Sequence, residues 1–246
     1  MQTGLYEKAW RDLWEDHELP LLYRAASGGV WGQRKPIKGG AITDALFVYL
    51  EGVPERESIQ ALRQDYMGRP LVCLSEAWET GIHTHYPAVA CYPRYLMAPR
   101  KEFDLGPGGL LPAGFAVKSF DEDIFYRHPF SHGENYPSFE AFQGSGSGAA
   151  VLHGNGIVSS ASSFLSDRGE VELDVSTDAA FRRMGLATAC VRQMLSDCQK
   201  RGITVHWDAQ NRESRHLAEK FGFQIQKTYF VYVITEPFND RQTRDP

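Results

Sequence analysis

The chain has 246 residues, 42% of them hydrophobic, and a formal net charge of −5. That apolar content allows a sizeable core in one large or two modest domains, and Lys and Arg occur in runs no longer than pairs, which argues against a nucleic-acid or anionic-membrane surface. No stretch reaches the roughly 18 apolar residues of a membrane span, and the N-terminus lacks the apolar core of a signal peptide, so a cytoplasmic location is expected.

In chain order, residues 4–26 read as an amphipathic helix broken near Pro20. Gly28-Gly29 and Gly39-Gly40 punctuate a loop or hairpin edge. Ala45 to Leu50 is a strand by composition. Pro54 to Tyr66 reads as a helix with Ile59, Leu62 and Tyr66 on one side. Pro70 to Leu74 is a buried strand, and Ser75 caps a helix containing Trp78. The order strand, helix, strand, helix predicts a small N-terminal α/β domain over residues 1–105. The four cysteines, Cys73, Cys91, Cys190 and Cys198, show no C-x-x-C spacing and read as buried thiols in a reducing compartment.

Gly106-Pro107-Gly108-Gly109 and Pro112 mark the boundary with a second domain over residues 106–246. Phe115 to Lys118 opens it as a strand, followed by helical pieces over residues 119–130 and 138–143. Gly148 to Leu152 and Ile157 to Leu165 form a hairpin, which Ser166 to Gly169 connects to a central strand, Val171 to Val175. Gln224 to Ile234 is the last strand, and the polar residues from Thr235 to Pro246 read as frayed. Gly144 to Gly148 has the look of a phosphate loop but leads into a strand, so a flexible connection is expected. His83-x-His85 has no third ligand at motif spacing, and no metal is expected. Ser159, Ser160, Ser162 and Ser163 are unusual for a core strand; one face of them lines an acceptor cleft, or the strand is half-exposed.

Leu186, Cys190, Met194 and Cys198 recur every four residues, with Val191 and Leu195 beside them, as one stripe of a helix that ends at Gly202. The helix starts near Gly185, where its first N–H groups lack internal partners and carry roughly half a positive charge. An anion such as a diphosphate suits that position, Gly185 admits close backbone approach, and Arg182 and Arg183 add charge at the rim.

The pattern Arg182-x-x-Gly185-x-Ala187, the strand before it, Asn211, and Leu217 to Phe223 together resemble the GNAT superfamily of N-acetyltransferases. Trp207-Asp208-Ala209-x-Asn211-x-x-Ser214-x-x-Leu217-Ala218-Glu219-Lys220-x-Gly222-Phe223 is similar to the zwittermicin-A-resistance branch of that superfamily, which carries an extra N-terminal region of about this length. Ser138-Phe139-Glu140-x-Phe142 and Pro93 to Asp104 resemble it more loosely. The resemblance implies a mixed α/β fold with a mostly antiparallel central sheet flanked by helices and an extra N-terminal α/β domain. It also implies acetyl-CoA as cofactor and transfer of the acetyl group to a primary amine of a small molecule in a ternary complex.

By position in that pattern, Val175 and Thr177 pair with the pantetheine, Arg182, Arg183, Met184, Gly185, Leu186, Ala187 and Thr188 cradle the diphosphate, and Asn211 and Ser214 complete the cofactor side. The plain alternative for Asn211 is a helix N-cap. An alkyl ammonium with a pKa near 10.4 is neutral in only about one molecule in 10³ at pH 7, so a carboxylate base is wanted. Glu172 and Asp174 share a strand face and are the candidates, Glu172 preferred; a solvated face or an ion pair with Arg is the plain alternative. The superfamily's usual Tyr in the last helix is Ala218 here, which leaves the general acid unassigned and Ser214 a weak substitute. Hence the alternative, a non-catalytic acyl-CoA-binding regulatory or interaction module. Expected partners are a small-molecule amine acceptor and neither nucleic acid nor membrane; a homodimer is left open.

Overall fold

The computed structural model describes residues 21, 32–99, 103–106, 108–129 and 135–235. The elements are β1 (Gln33–Ile37), β2 (Gly40–Asp44), β3 (Val48–Gly52), α1 (Arg56–Tyr66), β4 (Pro70–Cys73), α2 (Glu76–His85), β5 (Ala90–Pro99), β6 (Phe115–Ser119), α3 (Glu122–Arg127), α4 (Phe139–Ser145), β7 (Gly148–His153), β8 (Gly156–Asp167), β9 (Glu170–Thr177), α5 (Leu186–Arg201), β10 (Thr204–Ala209), α6 (Arg212–Glu219) and β11 (Phe223–Val233). The chain folds as two compact units, Met1–Arg94 with Lys227–Pro246, and Tyr95–Gln226. Where the glycine-rich stretch predicts a single boundary at 105/106, the chain instead changes unit within β5 and again within β11. Most of the helix expected over 4–26, the glycines at 28 and 29, and all but the first residue of the tail expected from 235 lie outside the described residues.

In the first unit, β1 and β2 form a hairpin, β2 pairs antiparallel with β3, and β3 runs parallel to β4. The last part of β11 returns to pair antiparallel with β4, Val231 opposite Val72. Helices α1 and α2 bury Ile59, Leu62, Trp78 and Ile82 against Val48, Leu50, Leu71 and Tyr232. Ser75 caps α2 as its sequence predicts, accepting from the Trp78 N–H, and the Trp78 indole donates to the Glu51 carbonyl at 3.0 Å.

In the second unit, β6, β7, β8 and β9 form an antiparallel meander, β9 runs parallel to β10, and β10 pairs antiparallel with β5. The result is a mixed, mostly antiparallel sheet. The β8–β9 turn is two residues, with Arg168 at φ 49° and Gly169 at φ 83°, the doubly left-handed backbone that a tight hairpin requires. Helix α5 packs on β6 through β10. Its buried residues are Leu186, Cys190, Val191, Met194, Leu195 and Cys198, the stripe its sequence period predicts. They close a core with Val171, Leu173, Val205, Trp207, Ala218, Phe221 and Phe223. Gly202, at φ 66°, ends α5, and the Ile203 N–H returns to the Cys198 carbonyl at 3.0 Å.

Two local expectations change. The Gly144 to Gly148 connection is pinned rather than flexible: the Arg201 guanidinium donates to the carbonyls of Gln143, Gly144 and Gly146. The serine strand is buried rather than half-exposed, with Ser159, Ser160, Ser162 and Ser163 all at 2% exposure or less. Ser163 satisfies its hydroxyl with the backbone of Ser147, and Ser159 sits 2.8 Å from Thr177 Oγ1.

Candidate acyl-transfer site

Two sides of β9 divide the labour. Val171 and Leu173 enter the core under α5, so the alternate residues Glu170, Glu172, Asp174 and Ser176 lie on the other face. Residues directly opposite across a sheet share a face, which adds Ser160 and Ser162 from β8, opposite Ser176 and Asp174, and His206 from β10, opposite Glu172. Glu172 and Asp174 are therefore brought to one face, as their spacing predicts.

The two candidates differ in circumstance. Glu172 is 8% exposed, and its Oε1 accepts the Asp208 backbone N–H at 2.8 Å. Asp174 is half-buried, with Ser176 Oγ 3.5 Å from its Oδ2. Glu170, one step further back, shares a 3.0 Å hydrogen bond with His206 Nε2. No motif includes His206, and the one that includes Asp208 gives it no role; the alternation Val205-His206-Trp207-Asp208 carries the signal, because with Val205 and Trp207 in the core the other two take the opposite face.

The β9–β10 register ends at the pair His206 and Glu172. Beyond it, Leu173 to Thr177 of β9 keep β8 as a partner on one side while β10 runs on to Ala209. Val175 lies in this stretch, opposite Ala161, and packs against the core. Thr177 ends it, and its carbonyl accepts from Arg182 Nε at 3.3 Å.

The loop from Thr177 to Leu186 is fixed by local chemistry. Asp178 donates its N–H to the Val158 carbonyl and accepts the Ala180 N–H on its carboxylate. Phe181 packs on Phe115 and His153, with ring centroids 5.8 and 5.5 Å away. Arg183 is left-handed at φ 63° and Gly185 at φ 79°. A Cβ built on Gly185 meets nothing within 4 Å, so it is the backbone angle rather than crowding within the chain that calls for glycine. The first bond of α5 runs from the Ala189 N–H to the Gly185 carbonyl, so the N–H groups of Leu186, Ala187 and Thr188 are directed out of the helix end. Arg182, Arg183 and Met184 are exposed beside them, while Leu186 is buried. Outward-directed donors at a helix start, open space over a glycine and two exposed guanidinium groups suit a diphosphate.

Asn211 and Ser214 meet at the start of α6. Asn211 caps the helix, its Oδ1 accepting the Ser214 N–H at 2.8 Å, and is exposed. Ser214 Oγ accepts the Trp207 indole N–H at 3.0 Å. Ala218 is fully buried in the core. Burial pushes the Cys190 and Cys198 thiols up to about 12 and about 11, which leaves both un-ionised and inert at neutral pH. Among the described residues no three His, Cys, Asp or Glu side chains converge as metal ligands, and no helix is long and apolar enough to cross a membrane.

A family model described as GNAT acetyltransferase matches residues 16–232. The Bacillus subtilis (strain 168) protein called Uncharacterized N-acetyltransferase YdfB is 34% identical over 128 residues; the match covers 50% of this chain and spans about half, 49%, of that relative. The crystal structure of a GCN5-related N-acetyltransferase-like protein from Streptococcus suis 89/1591 superimposes with a TM-score of 0.75 at 27% identity, covering 94% of this chain and 99% of that one. A GCN5-related N-acetyltransferase from Kribbella flavida shares the fold, with a TM-score of 0.59 at 12% identity over 87% of this chain and 96% of its own.

Proposed function

Because the chain belongs to the GNAT acetyltransferase family, we propose that it moves the acetyl group of acetyl-CoA to a primary amine of a small molecule. The observation that carries this reading is that β9 runs on past its last pair with β10 and then leads, through the left-handed Gly185, into the N-terminus of α5.

The residues fit the coenzyme. The outward N–H groups of Leu186, Ala187 and Thr188, with Arg182 and Arg183, would hold the diphosphate, each charge-assisted hydrogen bond contributing about 1.5–3 kcal/mol. The backbone of β9 around Val175 would pair with the pantetheine amides, and Asn211 would approach the same arm. Acetyl-CoA supplies an activated thioester when bound.

The chain's own chemical task is proton handling. An ammonium near pKa 10.4 must lose its proton before the nitrogen can attack. Asp174 is the better placed acceptor: it lies half-buried on the stretch of β9 past the last register pair, whereas Glu172 is engaged with Asp208. Ser214 retains an O–H to donate after accepting from Trp207, and it is the hydroxyl on α6 that would serve as proton source for a leaving thiolate. Antibiotic-like or amino-acid-like amines are the acceptor class we favour, from the likeness of the 207–223 stretch to the zwittermicin-A-resistance branch.

A second reading draws on the burial of Ala218, where the superfamily usually carries Tyr: an acyl-CoA-binding regulatory or interaction module without turnover. Incubation with acetyl-CoA and a panel of amines, following free thiol, separates the two. Amine-dependent thiol release is expected. Calorimetric binding of acetyl-CoA with no release on any acceptor would sink the transferase reading in favour of the second.

A further inference from the structure

Parallel strands that separate leave inward-facing N–H groups without a ladder partner, and each must find another acceptor or face water. On β10 that donor is the Asp208 N–H, two residues past the last register pair, His206 with Glu172. It is taken at 2.8 Å by a side chain, the Glu172 Oε1, from the very residue at which pairing ends. Glu172 is 8% exposed, so the contact is shielded from water. A buried carboxylate is costly unless its charge is used by donors, and a charge-assisted bond of this kind is about twice as strong as a neutral one.

The placement does two things at once. The carboxylate occupies the room in which the backbone ladder would run on, and it satisfies the donor that the parting exposes. We propose that Glu172 is a positioning residue, a brace that holds β9 and β10 apart so that the backbone of Leu173 to Thr177 faces an open seam. The proposal rests on the acetyl-CoA reading only in saying what enters that seam. It requires an acceptor atom at this side-chain length, not a titrating one, so a carboxamide should serve and a thioether of matched length should not.

The test compares Glu172→Gln and Glu172→Met in the full chain. Without ligand, hydrogen exchange at the Asp208 amide should be only a few-fold faster than wild type in Glu172→Gln, whose neutral acceptor bonds more weakly, and about tenfold or more faster in Glu172→Met, because the open form gains population when the acceptor is lost. With acetyl-CoA titrated calorimetrically, the Kd should rise about tenfold in Glu172→Met and return toward wild type in Glu172→Gln. Equal Asp208 exchange in Glu172→Met and wild type would overturn the brace, as would faster exchange with unaltered acetyl-CoA affinity. If Glu172→Met loses its circular-dichroism signature of folding, Glu172→Ala carries the same comparison. Failure of the wild-type chain to bind acetyl-CoA would count against the transferase reading instead, and the ligand-free exchange would still decide for or against the brace.

Discussion

The indole N–H of Trp207 donates to Ser214 Oγ at 3.0 Å, joining the end of β10 to the first turn of α6. Trp207 is 1% exposed and meets Phe223 edge-on at 5.4 Å, so no water replaces that acceptor if it is lost. Ser214→Ala is expected to lower the unfolding free energy in urea by about 1–3 kcal/mol, the cost of a stranded buried donor. No change in stability would mean that the indole finds another partner.

Gly185 is predicted to matter through its backbone. A residue with a Cβ held at φ 79° is strained by about 1–2 kcal/mol, more if β-branched. Gly185→Val should therefore shift the loop and weaken acetyl-CoA binding about tenfold or more, measured by calorimetry. An unaltered Kd would remove this loop from the coenzyme site.

Asp174→Asn is the test of proton acceptance. At pH 7 the variant should lose about 10²-fold in kcat/KM for the amine. The neutral fraction of the amine rises tenfold per pH unit below its pKa near 10.4, so the deficit should shrink as pH rises. A deficit independent of pH would assign Asp174 to binding rather than to proton transfer.

Cys190 and Cys198 give the protein an alkaline weakness. Burial lifts their pKa values from 9.0 to about 12 and about 11. Below pH 9 folded and unfolded chains both keep these protons. Above it the unfolded chain gives them up first, so stability falls with rising pH by up to about 1.4 kcal/mol per unit for each thiol. The slope ends when the folded thiols ionise in turn. Urea unfolding of Cys190→Ala with Cys198→Ala should show a flatter limb between pH 9 and 11 than wild type.

Much of the site is legible in the sequence where local periodicity and backbone chemistry decide it. The α5 stripe, Gly185, Gly202 and the shared face of Glu172 and Asp174 all follow from spacing within a single element. β1, β2 and β5 escape such a reading. β1 is polar and contains Pro36, and β5 has Pro93 inside it; a residue that cannot donate to a ladder reads as a strand breaker when its neighbours are unknown. Residues 45 to 47, expected to open β3, form a bend instead. The role of Glu172 is not legible either, since its partner is a backbone amide 36 residues away and no side-chain pattern records it.

β4 has to wait for Val231, Tyr232 and Val233 to receive its antiparallel neighbour, and the whole of Tyr95–Gln226 is synthesised in between. As the chain leaves the ribosome, the second unit can therefore be finished while β4 of the first still has an open edge. The nascent protein would assemble the part that carries Gly185 and Asp174 first, and zip up its own beginning last.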